Sequence, residues 1–174
     1  MNWKELLTVE IKNAYAPVEN LLEKVSDDEL RWKPRDGSNW MTMGQLLRHI
    51  DDACGACFKG FITGDWGMPE GMDLSDLKPE DMLPPADKLP AVENVEEAKR
   101  LLAEDKRIAY EMLEQVSEDD LANQKITAPW DPTEKILGHR LLMMIDHLKS
   151  HKSQLFYYLK LQGKPVNTAD LWSV

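Results

Sequence analysis

The chain has 174 residues and a mass of 20.0 kDa, long enough for one domain with a real hydrophobic core. Its formal charge of −10 and isoelectric point of about 4.9 argue against a nucleic-acid partner, because phosphate binding needs a basic surface. No apolar run approaches the ~20 residues of a membrane span, and the amphipathic start Met1-Asn2-Trp3-Lys4-Glu5-Leu6-Leu7 does not resemble a signal peptide, so a cytoplasmic protein is expected.

Four segments carry helical periodicity, and none shows a convincing strand alternation. The first covers about residues 2–25, where Leu7, Ile11, Ala14, Val18, Leu21 and Val25 recur at steps of three and four, as in a bundle seam. Pro17 is expected to kink this helix or loosen one turn, since it has no N–H to donate. Ser26-Asp27-Asp28-Glu29 reads as a capped short helical turn. A second helix is predicted from the capping box Thr42-Met43-Gly44-Gln45 to about Gly60, with Leu46, Ile50, Ala53 and Cys57 on its core face. From about Ile62 to Glu93 the chain holds five of its ten prolines and many acids without periodicity. This long irregular crossover lets helices two and three run parallel.

The third helix opens at Asn94, with Glu97 three residues on, and continues to about Val116. Beyond Ser117-Glu118-Asp119-Asp120 and an irregular piece around Ile126–Trp130, the last helix has the clearest start: Asp131 as N-cap, Pro132 at the first helical position and Glu134 in the first turn. It is predicted to end at Gly163, with Pro165 shortly after. A single all-α domain over residues 1–174, folded as a four-helix bundle, is the natural architecture.

The chain has only four histidines, and three stand at plausible metal-ligand positions. His147 and His151 lie one helical turn apart, so their imidazoles project side by side. His49, about 60° from Leu46 on the second helix, sits at the edge of the core with Ala53 and Ala56 leaving space beside it. Facing the pair, it would complete three nitrogens around a cation with room for water or substrate, an open catalytic type of site. On the last helix Arg140, His147, His151, Gln154 and Tyr158 form one stripe beside the core face of Leu137, Leu141, Met144, Leu148, Leu155 and Leu159. The spacing alone also fits surface or satisfied core histidines. His139, about 80° from His147, reads as surface or as support behind a ligand, and Asp52 and Asp146 are candidate orienting carboxylates for which a solvent face is the preferred reading. The glutamates of the third helix read as a solvated face.

The two cysteines form Cys54-Gly55-Ala56-Cys57, the spacing of a redox pair or half a zinc site. A redox motif belongs at a strand-to-helix junction, whereas this one is expected inside a helix, and there is no further cysteine to complete a thiolate site. Two small buried residues at a helix crossing is the preferred reading. Leu142, Ile145 and Phe156 extend the apolar arc of the last helix past one core face, which a homodimer would bury.

The run Ser38-Asn39-Trp40-Met41-Thr42-Met43-Gly44-Gln45-Leu46-Leu47-Arg48-His49-Ile50, the stretch His147-Leu148-Lys149-Ser150-His151-Lys152-Ser153-Gln154-Leu155 and the segment Leu159-Lys160-Leu161-Gln162-Gly163-Lys164-Pro165 together resemble the DinB-like superfamily, which includes the YfiT-type metal-dependent hydrolases. The resemblance implies helices in up-down-down-up order and a divalent ion, commonly nickel or zinc, held by His49, His147 and His151. The chain departs from it at Lys152-Ser153, where Arg-Gly is usual, and in its proline-rich, acidic crossover. Characterised relatives include transferases and isomerases that use bacillithiol, mycothiol or glutathione. The implied activity is therefore transfer of a low-molecular-weight thiol to an electrophilic small molecule, with metal-dependent hydrolysis or a non-catalytic, metal-stabilised stress or interaction protein as alternatives. Gln154 would orient a ligand or contact substrate, and Tyr158 and Arg140 would line the pocket, Arg140 suiting an anionic substrate. No side chain stands out as a general base.

Overall fold

Asn2 starts the first helix: its side chain accepts the Glu5 N–H (2.9 Å), and Glu5 accepts the Asn2 N–H in return (3.2 Å). The computed structural model describes residues 2–68, 71 and 84–173. The first helix, α1 (Trp3–Leu22), puts Leu7, Ile11, Ala14, Val18 and Leu21 wholly out of solvent, with Val25 buried just beyond its end, as the seam requires. It runs on through Pro17. The carbonyl that loses its partner belongs to Asn13, an exposed residue on the solvent side of the helix. A proline inside a helix costs about 3 kcal/mol, against about 1.5–3 kcal/mol from each buried Leu, Ile or Val of the seam, so packing wins.

Ser26 and Glu29 cap a single 3-10 turn at Asp27–Glu29, and Thr42 and Gln45 form the predicted capping box of α2 (Met43–Ile50). The second helix is nevertheless not continuous to Gly60. It stops at Ile50, the chain passes through Asp51–Cys54, and α3 (Gly55–Thr63) begins with Cys54 at φ −130° and ψ −67°. Much of the expected crossover, 69–70 and 72–83, lies outside the described residues. Its described end returns to α2, where the Gln45 amide donates to the carbonyls of Ala86 (2.8 Å) and Leu89 (2.9 Å).

Asn94 caps α4 (Val95–Gln115) by accepting the Glu97 N–H at 2.8 Å. A short α5 (Glu118–Asn123) follows, and then two strands that the sequence does not announce: β1 (Lys125–Ala128) and β2 (Asp131–Ile136), antiparallel, with Lys125 opposite Ile136 and an irregularity between Ile126 and Ala128. The last helix, α6 (Leu137–Leu161), therefore starts five residues later than Asp131-Pro132 predicts. Asp131 does accept a local N–H, from Thr133 at 2.9 Å, but it closes a turn. Pairing with β1 decides the rest, and Pro132 is tolerated on this two-stranded ribbon because it needs no ladder donor there. At its far end α6 closes as expected. Gly163 adopts φ 78°, so that the Lys164 N–H reaches the Leu159 carbonyl (3.0 Å) and the Gly163 N–H reaches that of Lys160 (2.9 Å). A final α7 (Thr168–Trp172) packs on α1 and α6.

The fold is mostly helical, with α1 against α6 and α4, α3 against α4, and α2 and α3 both against α6. Among the described residues no helix is long and apolar enough to cross a membrane. Ile145 and Phe156, expected at a dimer interface, are buried within the chain itself.

Candidate metal centre

The packing of α2 on α6 brings His49 to His147 and His151. Their three Nε2 atoms form a triangle: 3.2 Å from His49 to His147, 3.1 Å from His49 to His151 and 2.9 Å between the last two. Among the described residues they are the one cluster of His, Cys, Asp or Glu donors close enough to share an ion. Two nitrogens each ~2.05 Å from one ion stand about 2.9 Å apart at a right angle and about 3.3 Å apart at a tetrahedral angle. The observed separations fall in that interval.

Hydrogen bonds behind the rings decide which nitrogens carry lone pairs. His147 Nδ1 faces the Ala53 carbonyl at 3.3 Å, and since a carbonyl only accepts, this Nδ1 carries the proton. His151 Nδ1 faces the Gln154 side-chain oxygen at 3.0 Å. The amide orientation is fixed from its other end: Tyr158 donates its hydroxyl to the Met41 carbonyl (3.0 Å) and accepts the Gln154 amide N–H (3.1 Å), which leaves Gln154 Oε1 for His151. Both rings thus present unprotonated Nε2 atoms to each other at 2.9 Å, an arrangement that a shared cation satisfies. The donor set fits a borderline divalent ion such as zinc or nickel.

Desolvation holds all three imidazoles below the ordinary histidine value, His49 at about 4, with the neighbouring His151 and His147 adding to the effect there. They are neutral at pH 7 and ready to bind. Because metal competes only with protons on these rings, Zn2+ binding is expected to persist at pH 6, where free imidazole is substantially protonated, and to fall off as pH drops toward 4. A titration of affinity against pH checks this.

The chain matches the family model of the DinB superfamily over residues 10–155. It belongs to that superfamily. No match is found among curated proteins. The three histidines read from the DinB-like motifs are the three that the fold brings together.

Of the other candidate residues, Gln154 and Tyr158 stand directly behind His151, and Tyr158 is edge-on to Trp32 and Trp40. Replacing Gln154 with Ala is expected to weaken Zn2+ binding by about tenfold without unfolding α6, as measured by competition with a chromogenic chelator. Arg140 sits about 10 Å along the helix axis from His147. It is wholly buried, donating to the Asp131 carboxylate (2.8 Å) and to the Thr133 carbonyl, so its charge ties the hairpin to α6. His139, Asp52 and Asp146 are exposed, and Asp52 pairs with Arg48. A cavity of about 730 Å³ between the end of α3 and the hairpin, walled by Phe61, Trp66 and Ile126, is lined by none of the three ligands.

Only one of the two cysteines lies inside a helix as expected. Cys54 precedes α3 and Cys57 is in its first turn, at a helix N-terminus after all. Both are free, and burial pushes the Cys54 thiol well up and that of Cys57 to about 12, so neither is a thiolate at neutral pH. The sequence reading missed Asp51 and Asp105. Asp51 is buried with neither carboxylate oxygen bonded, and burial lifts it to about 9, which makes it a neutral acid at pH 7. Asp105 is buried on the core face of α4, accepting the Tyr15 hydroxyl (2.6 Å) and the Ala56 N–H (2.7 Å).

Proposed function

We propose that this chain is a metal-dependent enzyme that joins a low-molecular-weight thiol to an electrophilic small molecule, using a divalent ion, nickel or zinc, held by His49, His147 and His151. The carrying observation is the triangle of Nε2 atoms 2.9–3.2 Å apart with two of its three rings locked in the tautomer that offers them. Three neutral ligands leave a bound cation its full charge, which supplies Lewis acidity to an incoming thiol or water. The chain's own part is positioning. The Ala53 carbonyl and Gln154 hold the His147 and His151 rings, and Tyr158 holds Gln154 against Met41. No carboxylate joins the cluster to act as base among the described residues, which favours a nucleophile activated by the ion over side-chain proton transfer. The thiol reading is supported by the DinB superfamily membership, by analogy with the thiol-using members that the resemblance brings in.

The same reading includes a four-helix arrangement in up-down-down-up order, with α2 and α3 counted as one interrupted helix. The pairings of α1 with α6 and α4, and of α3 with α4, support it.

The deciding experiment is elemental analysis of untagged protein followed by a screen of thiols against aryl halide, epoxide and ester substrates. About one equivalent of metal with thiol-dependent turnover is expected. Ester hydrolysis without thiol would replace transferase by hydrolase, and a protein that takes up no added metal would end the enzymatic reading.

A further inference from the structure

The break between α2 and α3 has a chemical consequence. In an unbroken helix the Ala53 carbonyl would accept the Cys57 N–H four residues on. Here the backbone turns at Cys54, and Ala53 instead meets His147 Nδ1. Something must hold α3 in that offset, and it is not its own N-cap, since Cys54 makes no capping hydrogen bond. Two first-turn N–H groups of α3 are taken by a side chain from another helix. Asp105 of α4 accepts the Ala56 N–H at 2.7 Å and bonds the Gly55 backbone as well. Its second oxygen accepts the Tyr15 hydroxyl of α1 at 2.6 Å, so the carboxylate is fixed on both sides. A Cβ added at Gly55 would lie 1.9 Å from the Asp105 carbonyl oxygen, so α3 begins in direct contact with the α4 backbone.

We propose that Asp105 is a positioning residue of the three-histidine centre, acting through the first turn of α3 to hold the Ala53 carbonyl on His147 Nδ1–H and so to keep His147 Nε2 free for the ion. This rests on the metal reading above. Asp105 touches neither the ring nor the ion. It anchors Gly55 and Ala56, and Ala53 lies only two residues before Gly55, its own N–H held by the Ile50 carbonyl at 3.2 Å. Without the anchor, the first turn of α3 loses its acceptor, the Ala53 carbonyl drifts, and His147 populates the tautomer protonated at Nε2, which offers the ion no lone pair at that atom.

The test reads imidazole tautomers in metal-free protein by long-range 1H–15N correlation, and Zn2+ affinity by chelator competition. Wild type is compared with Asp105→Ala, Asp105→Asn and Leu113→Ala. Leu113, buried two turns further along α4, controls for loss of stability alone. Asp105→Ala is expected to shift His147 from the Nδ1–H form to a mixture and to weaken Zn2+ binding by about tenfold or more. Asp105→Asn, whose amide oxygen still accepts the Ala56 N–H, should recover most of both, and Leu113→Ala should change neither while folded. An unchanged His147 tautomer in folded Asp105→Ala overturns the proposal. Should that variant not fold, Tyr15→Phe, which frees one side of the carboxylate, should move the His147 signal in the same direction by less, and an unmoved signal overturns it. The tautomer is read without metal, so a wild type that binds no Zn2+ would sink the metal reading, while the His147 spectrum would still decide this one.

Discussion

Replacing His151 with alanine is expected to cost about a thousandfold in metal affinity while leaving the metal-free protein as stable as wild type or more so. The two halves of this result come from the same geometry. Structural zinc sites hold their ion by roughly 10–16 kcal/mol, or about 3–5 kcal/mol for each ligand of three or four, and one lost ligand is worth that much. Without metal, the three rings confront one another at 2.9–3.2 Å in surroundings that resist their protonation, with two lone pairs aimed at each other. Removing one ring relieves that confrontation at the cost of one bond to Gln154. Thermal melts should therefore diverge only when metal is added. At a free concentration a thousand times the dissociation constant, wild type gains about 4 kcal/mol, and the variant gains almost nothing at the same concentration. A variant that melts well below wild type in chelator would mean that the histidines serve packing rather than an ion. His147→Ala should behave alike, since its ring also contributes one neutral nitrogen.

Much of this site could be read from the chain because its determinants are local. The one-turn spacing of His147 and His151 sets their faces whatever else happens, and the seam of Leu141, Leu148, Leu155 and Leu159 turns that face toward the core's edge. The capping box at Thr42 fixes the phase of α2, which places His49 opposite them. What failed depends on distant partners. Asp131-Pro132-Thr133-Glu134 carries every local mark of a helix start, yet those residues pair with β1, and the buried Arg140 closes onto Asp131 and Thr133. Arg140 shares the histidine stripe on a wheel but belongs to the hairpin, because a wheel gives direction and not position along the axis. The break after Ile50 is not marked by proline, the pair Asp51-Asp52 suits a helix surface as well as a turn, and Gly55 alone looks like an ordinary tolerated glycine. The Ala53 carbonyl could not have been found from sequence, since every residue offers one. Asp105 left a sign: Ala98, Leu102, Ala109 and Met112 are spaced as a buried face, and Asp105 falls within it. An acid in such a place needs partners, and Tyr15 and Ala56 are the partners it has.

The second large effect is expected at Gly55. A methyl group there would stand 1.9 Å from the Asp105 carbonyl oxygen and 2.8 Å from its carbonyl carbon, and neither is the end of a flexible side chain that can swing away. Two backbones must separate, which parts α3 from α4, and the sequence gains nothing in return because the site has no void to fill. Gly55→Ala should therefore lower the unfolding free energy by about 3 kcal/mol or more, where the same change on an exposed helix surface would stabilise by up to about 1 kcal/mol. Denaturant midpoints measure the difference, with Gly64→Ala as the comparison. There nothing lies within 4 Å of the added Cβ, and any loss reflects the φ of 78° alone. The displacement also carries to the metal centre, because the shifted turn holds Ala53, the partner of His147. Folded Gly55→Ala should accordingly bind Zn2+ more weakly than wild type, whereas Gly64→Ala, nine residues further along, should bind it equally well. A Gly55→Ala protein with undiminished stability would mean that α3 can begin further from α4 than its hydrogen bonds to Asp105 allow.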